Sequence, residues 1–135
     1  IDLGQRAWTI PAERTKQRRE VRLPITDAML KVIQWATPMR RSEYVLTLTG
    51  KPLSDVALSK QLKRHTSQDI TVHGLRSSFR TWCQETGVEE SLAEMCLTHL
   101  VGDKTRNAYA RSDLFEERMQ VMSDWADFLS CSQST

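Results

Sequence analysis

Two periods organise the apolar positions of this chain. Near the start they recur every second residue: Val21, Leu23 and Ile25 alternate with charged or turn residues, the pattern of a strand with one face buried. Trp8-Thr9-Ile10 has the same character, and the basic stretch from Glu13 to Arg18 lies between the two. The pattern predicts a β-hairpin with a basic tip over residues 8–25, in which Pro24 marks an edge or a strand end. Beyond Thr26 or Asp27, either of which suits an N-cap, the period lengthens. Met29, Val32, Ile33 and Ala36 recur at i, i+3, i+4, i+7 and predict a helix with these four inward, stopped at Thr37-Pro38. Tyr44 to Leu48 reads as a short extended piece and Gly50-Lys51-Pro52 as a turn. Ser54 is placed to cap a further helix that runs to about His65 with Leu58 and Leu62 inward.

The strongest helical signal spans His73 to Glu85, with Leu75, Phe79, Trp82 and Cys83 as its apolar stripe. At 100° per residue, His73, Arg76 and Arg80 fall together on another face. Gly87 suits the C-terminal cap. Val88, Leu92, Met95 and Cys96 mark a short helix up to Leu97, and Lys104 to Ala110 another. The last helix, capped by Ser112 or Asp113, carries Phe115, Met119, Met122, Ala126 and Leu129 at helical period with Trp125 beside them. The fold class expected is mainly α with a small N-terminal β-hairpin (α+β): one domain over residues 1–129, with its helical core at 26–129 and a polar tail at 130–135.

Composition narrows the setting. The chain has 135 residues, 39% hydrophobic and 27% charged, enough for one core. No segment approaches the roughly 18 consecutive apolar residues of a membrane span, and no signal-peptide pattern opens the sequence. The first residues, Ile1-Asp2-Leu3, hold no initiator Met and lead into strand-like sequence, so the chain is expected to be part of a longer polypeptide. Nineteen Lys and Arg against 17 Asp and Glu leave a formal charge of +2, which by itself neither demands nor excludes nucleic acid. The distribution is more telling. Arg14, Lys16, Arg18, Arg19 and Arg22 crowd one stretch, and Arg40-Arg41 and Lys60, Lys63, Arg64 form smaller clusters. Such clusters are either solvated faces or the local positive surface that a phosphate backbone needs. Three cysteines, Cys83, Cys96 and Cys131, give an odd count without close spacing, and the first two fall at apolar helical positions. They suggest a reducing, intracellular setting without a disulfide framework.

The residues that change the picture are His73-Gly74-Leu75-Arg76, then Leu97-Thr98-His99, then Tyr109. His73 and Arg76 are i, i+3 neighbours able to reach one ligand. A guanidinium gives charge-assisted bidentate hydrogen bonds to phosphate, and an imidazole donates a hydrogen bond or moves a proton near neutral pH. His99 adds a second imidazole just past a helix end, and Tyr109 follows between Arg106 and Arg111. Taken singly, each has a plain alternative as a surface pair or a half-buried core residue. His65, with basic neighbours at a helix end, has only that plain reading. A metal is not expected: His73, Cys83, Cys96 and His99 lack the close pairs that fix a structural zinc.

Order and spacing together carry a resemblance. His73-Gly74-Leu75-Arg76-Ser77-Ser78-Phe79-Arg80-Thr81-Trp82 resembles the second-arginine motif of tyrosine recombinases, the phage integrase family. Leu97-Thr98-His99 resembles its Leu-Gly-His element, with Thr where Gly is usual, and Tyr109-Ala110-Arg111-Ser112-Asp113-Leu114 resembles its nucleophile segment. Trp8 to Lys16 is similar to the β-hairpin of the prophage and genomic-island branch, and Arg118 to Leu129 to the ending of that branch.

The resemblance implies a catalytic-core-like helical domain that is truncated at its N-terminus. It implies site-specific DNA recombination through Tyr109, with Arg76, His73, His99 and Lys16 as the other catalytic residues. Arg14, Arg18, Arg19, Arg80, Arg106 and Arg111 are then expected at the DNA. It further implies no cofactor, double-stranded attachment-site DNA as partner, a tetramer of the full-length protein on that DNA, and a cytoplasmic, nucleoid-associated location. The family's first arginine is expected upstream of Ile1, since Arg40 to Glu43 comes after the hairpin, in the wrong order. The isolated chain is therefore expected to be inactive, and a monomer is one state open to it. A non-enzymatic helical DNA-binding or interaction domain is the alternative. It explains the basic clusters but gives no reason for the order of His73, Arg76, His99 and Tyr109.

Overall fold

The computed structural model describes residues 1–15, 18–40, 42–47, 49–54, 56–66, 70–99 and 113–131. Lys16, Arg106, Tyr109, Arg111, the helix expected over Lys104 to Ala110 and the last four residues lie outside them. Within the described residues the chain is mainly helical, with one two-stranded antiparallel sheet at the N-terminal end.

Strand β1 (Ala7–Ile10) pairs with β2 (Val21–Pro24) in the register Ala7 to Pro24, Trp8 to Leu23, Thr9 to Arg22 and Ile10 to Val21. This is the hairpin that the alternating pattern predicts. A 3-10 turn at Ala12–Arg14 leads into the tip. There the Thr15 hydroxyl donates to the Arg19 carbonyl at 2.8 Å and accepts from the Arg19 N–H at 3.1 Å. Ile25, just past β2, is completely buried. Arg6 ties the base of the hairpin to the start of the first helix: its Nε donates to the Ile25 carbonyl at 2.9 Å and its Nη2 to Asp27 at 2.6 Å.

That helix, α1 (Asp27–Ala36), starts at Thr26, whose hydroxyl accepts from the Met29 N–H, and passes into a 3-10 turn at Thr37–Met39 around Pro38. Helix α2 spans Ala57–His65, α3 Val72–Glu85, α4 Glu90–Cys96 and α5 Phe115–Cys131. Thr71 caps α3 by accepting from the Gly74 N–H at 2.9 Å. A side chain at Gly74 would place its Cβ 3.2 Å from that hydroxyl, so the glycine of the His-Gly-Leu-Arg run leaves room for the cap.

Two helices end in the same way. In α3 the Gly87 N–H bonds back to Gln84 and the Val88 N–H to Cys83, with Gly87 at φ 76°. In α4 the Thr98 N–H bonds to Met95 and the His99 N–H to Glu94, with Thr98 at φ 62°. Both are Schellman ends, which need one left-handed residue. Glycine adopts that conformation freely, whereas the β-branched threonine adopts it under strain.

The core lies among the last three helices. Phe79, Trp82 and Cys83 of α3 meet Ala93 of α4, Leu97 just after it, and Val121 of α5. Val88, Leu92, Cys96 and Trp125 pack around them. The indole of Trp125 stands edge-on to Phe79 at 5.6 Å between ring centres and 5.3 Å from Trp82. The hairpin joins this body through α5: Arg22 lies over the Phe115 ring, 3.8 Å from its centre, and reaches toward Asp113 at 3.6 Å.

Several expectations are corrected. Val32, Leu58, Leu75 and Leu129, expected inward, are exposed. The apolar stripe of each helix is wider than the surface its neighbours cover; in α1, Ala36 alone is fully buried. Within residues 44–47 there is no strand, and residues 45 and 46 form a bend rather than an extended piece. Arg40 draws the chain round there by donating to the carbonyls of Ser42 at 2.6 Å and Glu43 at 3.2 Å. Ser54 does not cap α2 with its side chain: the helix begins at Ala57 without a side-chain cap, and Ser54 lends only its carbonyl to the Ala57 N–H.

Candidate phosphate-binding site

The first three turns of α3 bring His73, Arg76 and Arg80 onto one face, since Thr71 fixes where the helix starts. An adjoining face carries Phe79, Trp82 and Cys83 into the core and so fixes its rotation. His73 and Arg80 are exposed and Arg76 is half-buried. On the other side of the α3–α4 seam, the Schellman end of α4 turns the chain so that His99 comes back beside Glu94.

Arg76 bridges the two helices. Its Nη2 donates to the Leu97 carbonyl at 2.6 Å and lies 2.7 Å from His99 Nε2. The other ring nitrogen of His99, Nδ1, is 2.6 Å from Glu94 Oε2. The second oxygen of Glu94 receives Arg80 Nε at 2.8 Å. Four side chains from two separate stretches of the chain thus form one line, Arg76, His99, Glu94, Arg80. A guanidinium has donors and no acceptor, so His99 Nε2 accepts from Arg76 and the ring proton resides on Nδ1, donating to Glu94. Two cations and an imidazole, only one of the cations held by a carboxylate, on a solvent-facing surface make a site suited to a phosphate-sized anion.

Of the expected site residues, Arg76 and His99 are brought together, and Arg80 joins them through Glu94. His73 stands one turn before Arg76; among the described residues no hydrogen bond or ion pair of its side chain links it to the cluster. Arg14, Arg18 and Arg19 are exposed at the hairpin tip, where Arg18 has φ 50°. Lys16, Tyr109, Arg106 and Arg111 lie outside the described residues.

Glu94 escaped the sequence reading. A helical glutamate reads as a solvated charge, and what could have found it is the Leu97-Thr98-His99 element taken as a helix end, which returns residue i+5 to residue i. Arg118 escaped it too. It is only 3% exposed, at a position where α5 reads as amphipathic, and its Nη2 lies 3.4 Å from Asp113. Burial pulls its pKa below the usual arginine range, opposed by the Asp113 carboxylate. Its Nε finds no hydrogen-bond partner among the described residues.

The sequence profile of the Phage integrase family matches residues 1–115. The chain belongs to that family. It is 32% identical to the prophage integrase IntA of Escherichia coli strain K12, an alignment covering 99% of this chain and 34% of that protein. It is also 32% identical to the prophage integrase IntZ of the same strain, over 94% of this chain and 33% of that protein. With the integrase of Shigella phage Sf6 it shares 25% identity over 96% of this chain and 35% of the phage protein. The integrase chain therefore spans about a third of the length of these curated relatives. No solved structure matches it. Among the described residues, no helix of the integrase chain is long and apolar enough to cross a membrane.

Proposed function

We propose that this integrase chain carries the strand-transfer centre of a site-specific DNA recombinase, with Tyr109 as nucleophile. The observation that carries the reading is the meeting of Arg76 and His99 at 2.7 Å across the α3–α4 seam. The Tyr109 Oη attacks a DNA phosphodiester, loses its proton and bonds to phosphorus, and the 5′-oxygen leaves as a hydroxyl. The product is a 3′-phosphotyrosyl ester. A 5′-hydroxyl of a second duplex reverses the step and joins the new strand, and because the ester keeps the bond energy, no nucleotide has to be hydrolysed.

The five-coordinate transition state gathers negative charge on its non-bridging oxygens. Arg76 stabilises that charge. With a phosphate in place, Arg76 turns its donors to it and His99 donates from Nε2 as an imidazolium, balanced by Glu94. His73 exchanges the proton of Tyr109, and Lys16 protonates the leaving oxygen. A phenol of pKa about 10 is sparsely ionised at pH 7, so the reaction needs such a base or a strong positive field. Arg14, Arg18, Arg19, Arg80, Arg106 and Arg111 hold the DNA backbone. A further arginine, outside these 135 residues, completes the charge clamp. The chain alone then joins strands slowly or not at all, and the complete recombinase acts as a tetramer on attachment-site DNA in the cytoplasm, at the nucleoid.

Two experiments test the reading. A structure determined with sulfate, which stands in for the scissile phosphate, should show Arg76 and His99 on one anion with His73 alongside; separate anions or none at this seam would end the assignment. In the complete recombinase, Tyr109→Phe should abolish the covalent protein–DNA adduct. Strand joining by the 135-residue chain alone would show that no further arginine is required.

A further inference from the structure

We propose that Glu94 is a positioning residue that fixes which ring nitrogen His99 turns toward the phosphate site and keeps Arg80 beside it. The inference deepens the strand-transfer reading and rests on it for its role in the reaction, but the positioning itself is independent of DNA.

The carboxylate of Glu94 is only 17% exposed and both of its oxygens are engaged. Oε2 takes the Nδ1 proton of His99 and Oε1 takes Arg80 Nε. Glu94 also accepts the His99 backbone N–H at its carbonyl, 2.9 Å away. One residue therefore sets where the histidine leaves the helix and how its ring is turned. The proton position follows from the partner on the opposite side: Arg76 can only donate, so Nε2 presents its lone pair to Arg76 and Nδ1 carries the hydrogen. Which nitrogen of a neutral imidazole is protonated is decided by the hydrogen bond that the other makes. Here a largely buried carboxylate decides it, and the nitrogen aimed across the seam at Arg76 is always Nε2. Losing Glu94 frees the ring to rotate about its χ2 bond and to hold its proton on either nitrogen. Arg80 loses the anchor that keeps it over the α3–α4 seam.

Glu94→Leu and Glu94→Gln separate the two duties. The amide oxygen of Gln can still accept from Nδ1, but its NH2 group then faces Arg80 and cannot hold it. The ring nitrogens of His99 are read by long-range proton–nitrogen NMR correlation on the 135-residue chain, at a pH where the ring is neutral. Wild type should show Nδ1 as the protonated nitrogen, Glu94→Gln should keep that signature, and Glu94→Leu should shift the proton to Nε2 or mix the two forms. Inorganic phosphate titrated into the same samples should bind severalfold more weakly to Glu94→Leu, because His99 and Arg80 are no longer held together at the seam. A wild-type ring protonated on Nε2 overturns the proposal, and this measurement stands even where Glu94→Leu fails to fold. An unchanged signature or unchanged phosphate affinity in a folded Glu94→Leu overturns it as well. Failure of the strand-transfer reading looks different: the ring signature responds as expected, yet no adduct forms on Tyr109 in the complete recombinase.

Discussion

The two halves of this molecule place their tryptophans oppositely. In the α3–α4–α5 half, Trp82 is 9% exposed and packs with Phe79, Trp125 and Phe128. In the α1–α2 half, Trp35 is 70% exposed, and Val32, Met39, Val56 and Leu58 are open to solvent as well. Both halves have amphipathic helices, so periodicity alone does not distinguish them. The difference lies in how many neighbours each helix has. Helix α3 is covered by α4 and α5 at once, whereas α1 and α2 are covered on one flank. The Arg76–His99 meeting is held entirely by the well-packed half, which is where a site needing sub-ångström placement belongs.

The two halves should differ most at Trp82. Trp82→Ala should lower stability by about 3–5 kcal/mol, as large aromatic truncations in a core do, measured by urea unfolding. A loss below about 1 kcal/mol would mean that the aromatic cluster does not hold the site half together. Thiol chemistry sharpens the same contrast at a pH of about 8, where an ordinary cysteine is partly ionised. Burial pushes the Cys83 thiol up to about 11 and the Cys96 thiol up to about 12, so both stay protonated in the folded chain, whereas Cys131 is exposed to the reagent. A disulfide reagent should modify Cys131 at once and the other two at the rate of unfolding, and rapid labelling of all three would show the core to be open.

A smaller effect is expected at the end of α4. Thr98→Gly should stabilise by about 1 kcal/mol by removing a β-branched residue from the left-handed region, whereas Gly87→Ala should destabilise by a similar amount through conformation alone, since nothing lies within 4 Å of the added Cβ. The smallest effect is at Trp35: Trp35→Ala should change stability by no more than about 0.5 kcal/mol. A cost approaching that of Trp82→Ala would erase the distinction between the halves.

The hairpin and the helices were legible because strands and helices impose different periods, and Val21, Leu23 and Ile25 against Phe79, Trp82 and Cys83 state them clearly. Arg76 and His99 were legible as parts of motifs. What the sequence left hidden depends on coverage and on turns. Whether Val32 or Leu75 is inside depends on which neighbour arrives, and a stripe does not say how much of itself will be covered. Glu94 was hidden because its importance arises only once the chain folds back at Thr98 and places His99 over it. Arg118 was hidden because a charged residue in an amphipathic helix is ordinarily given to solvent.

The end of α4 also has a mechanical meaning. His99 is fastened to Glu94 by its backbone and by its ring, so helix and histidine travel as one rigid lever. The aromatic cluster pins the α3–α5 contact, while Arg76 and Arg80 supply the side-chain hydrogen bonds that bind that lever to α3. An anion that drew both guanidiniums toward itself would release the lever at its free end and leave its packed side as the pivot. That packed side is formed by Ala93 and Leu97, which lie buried in the core.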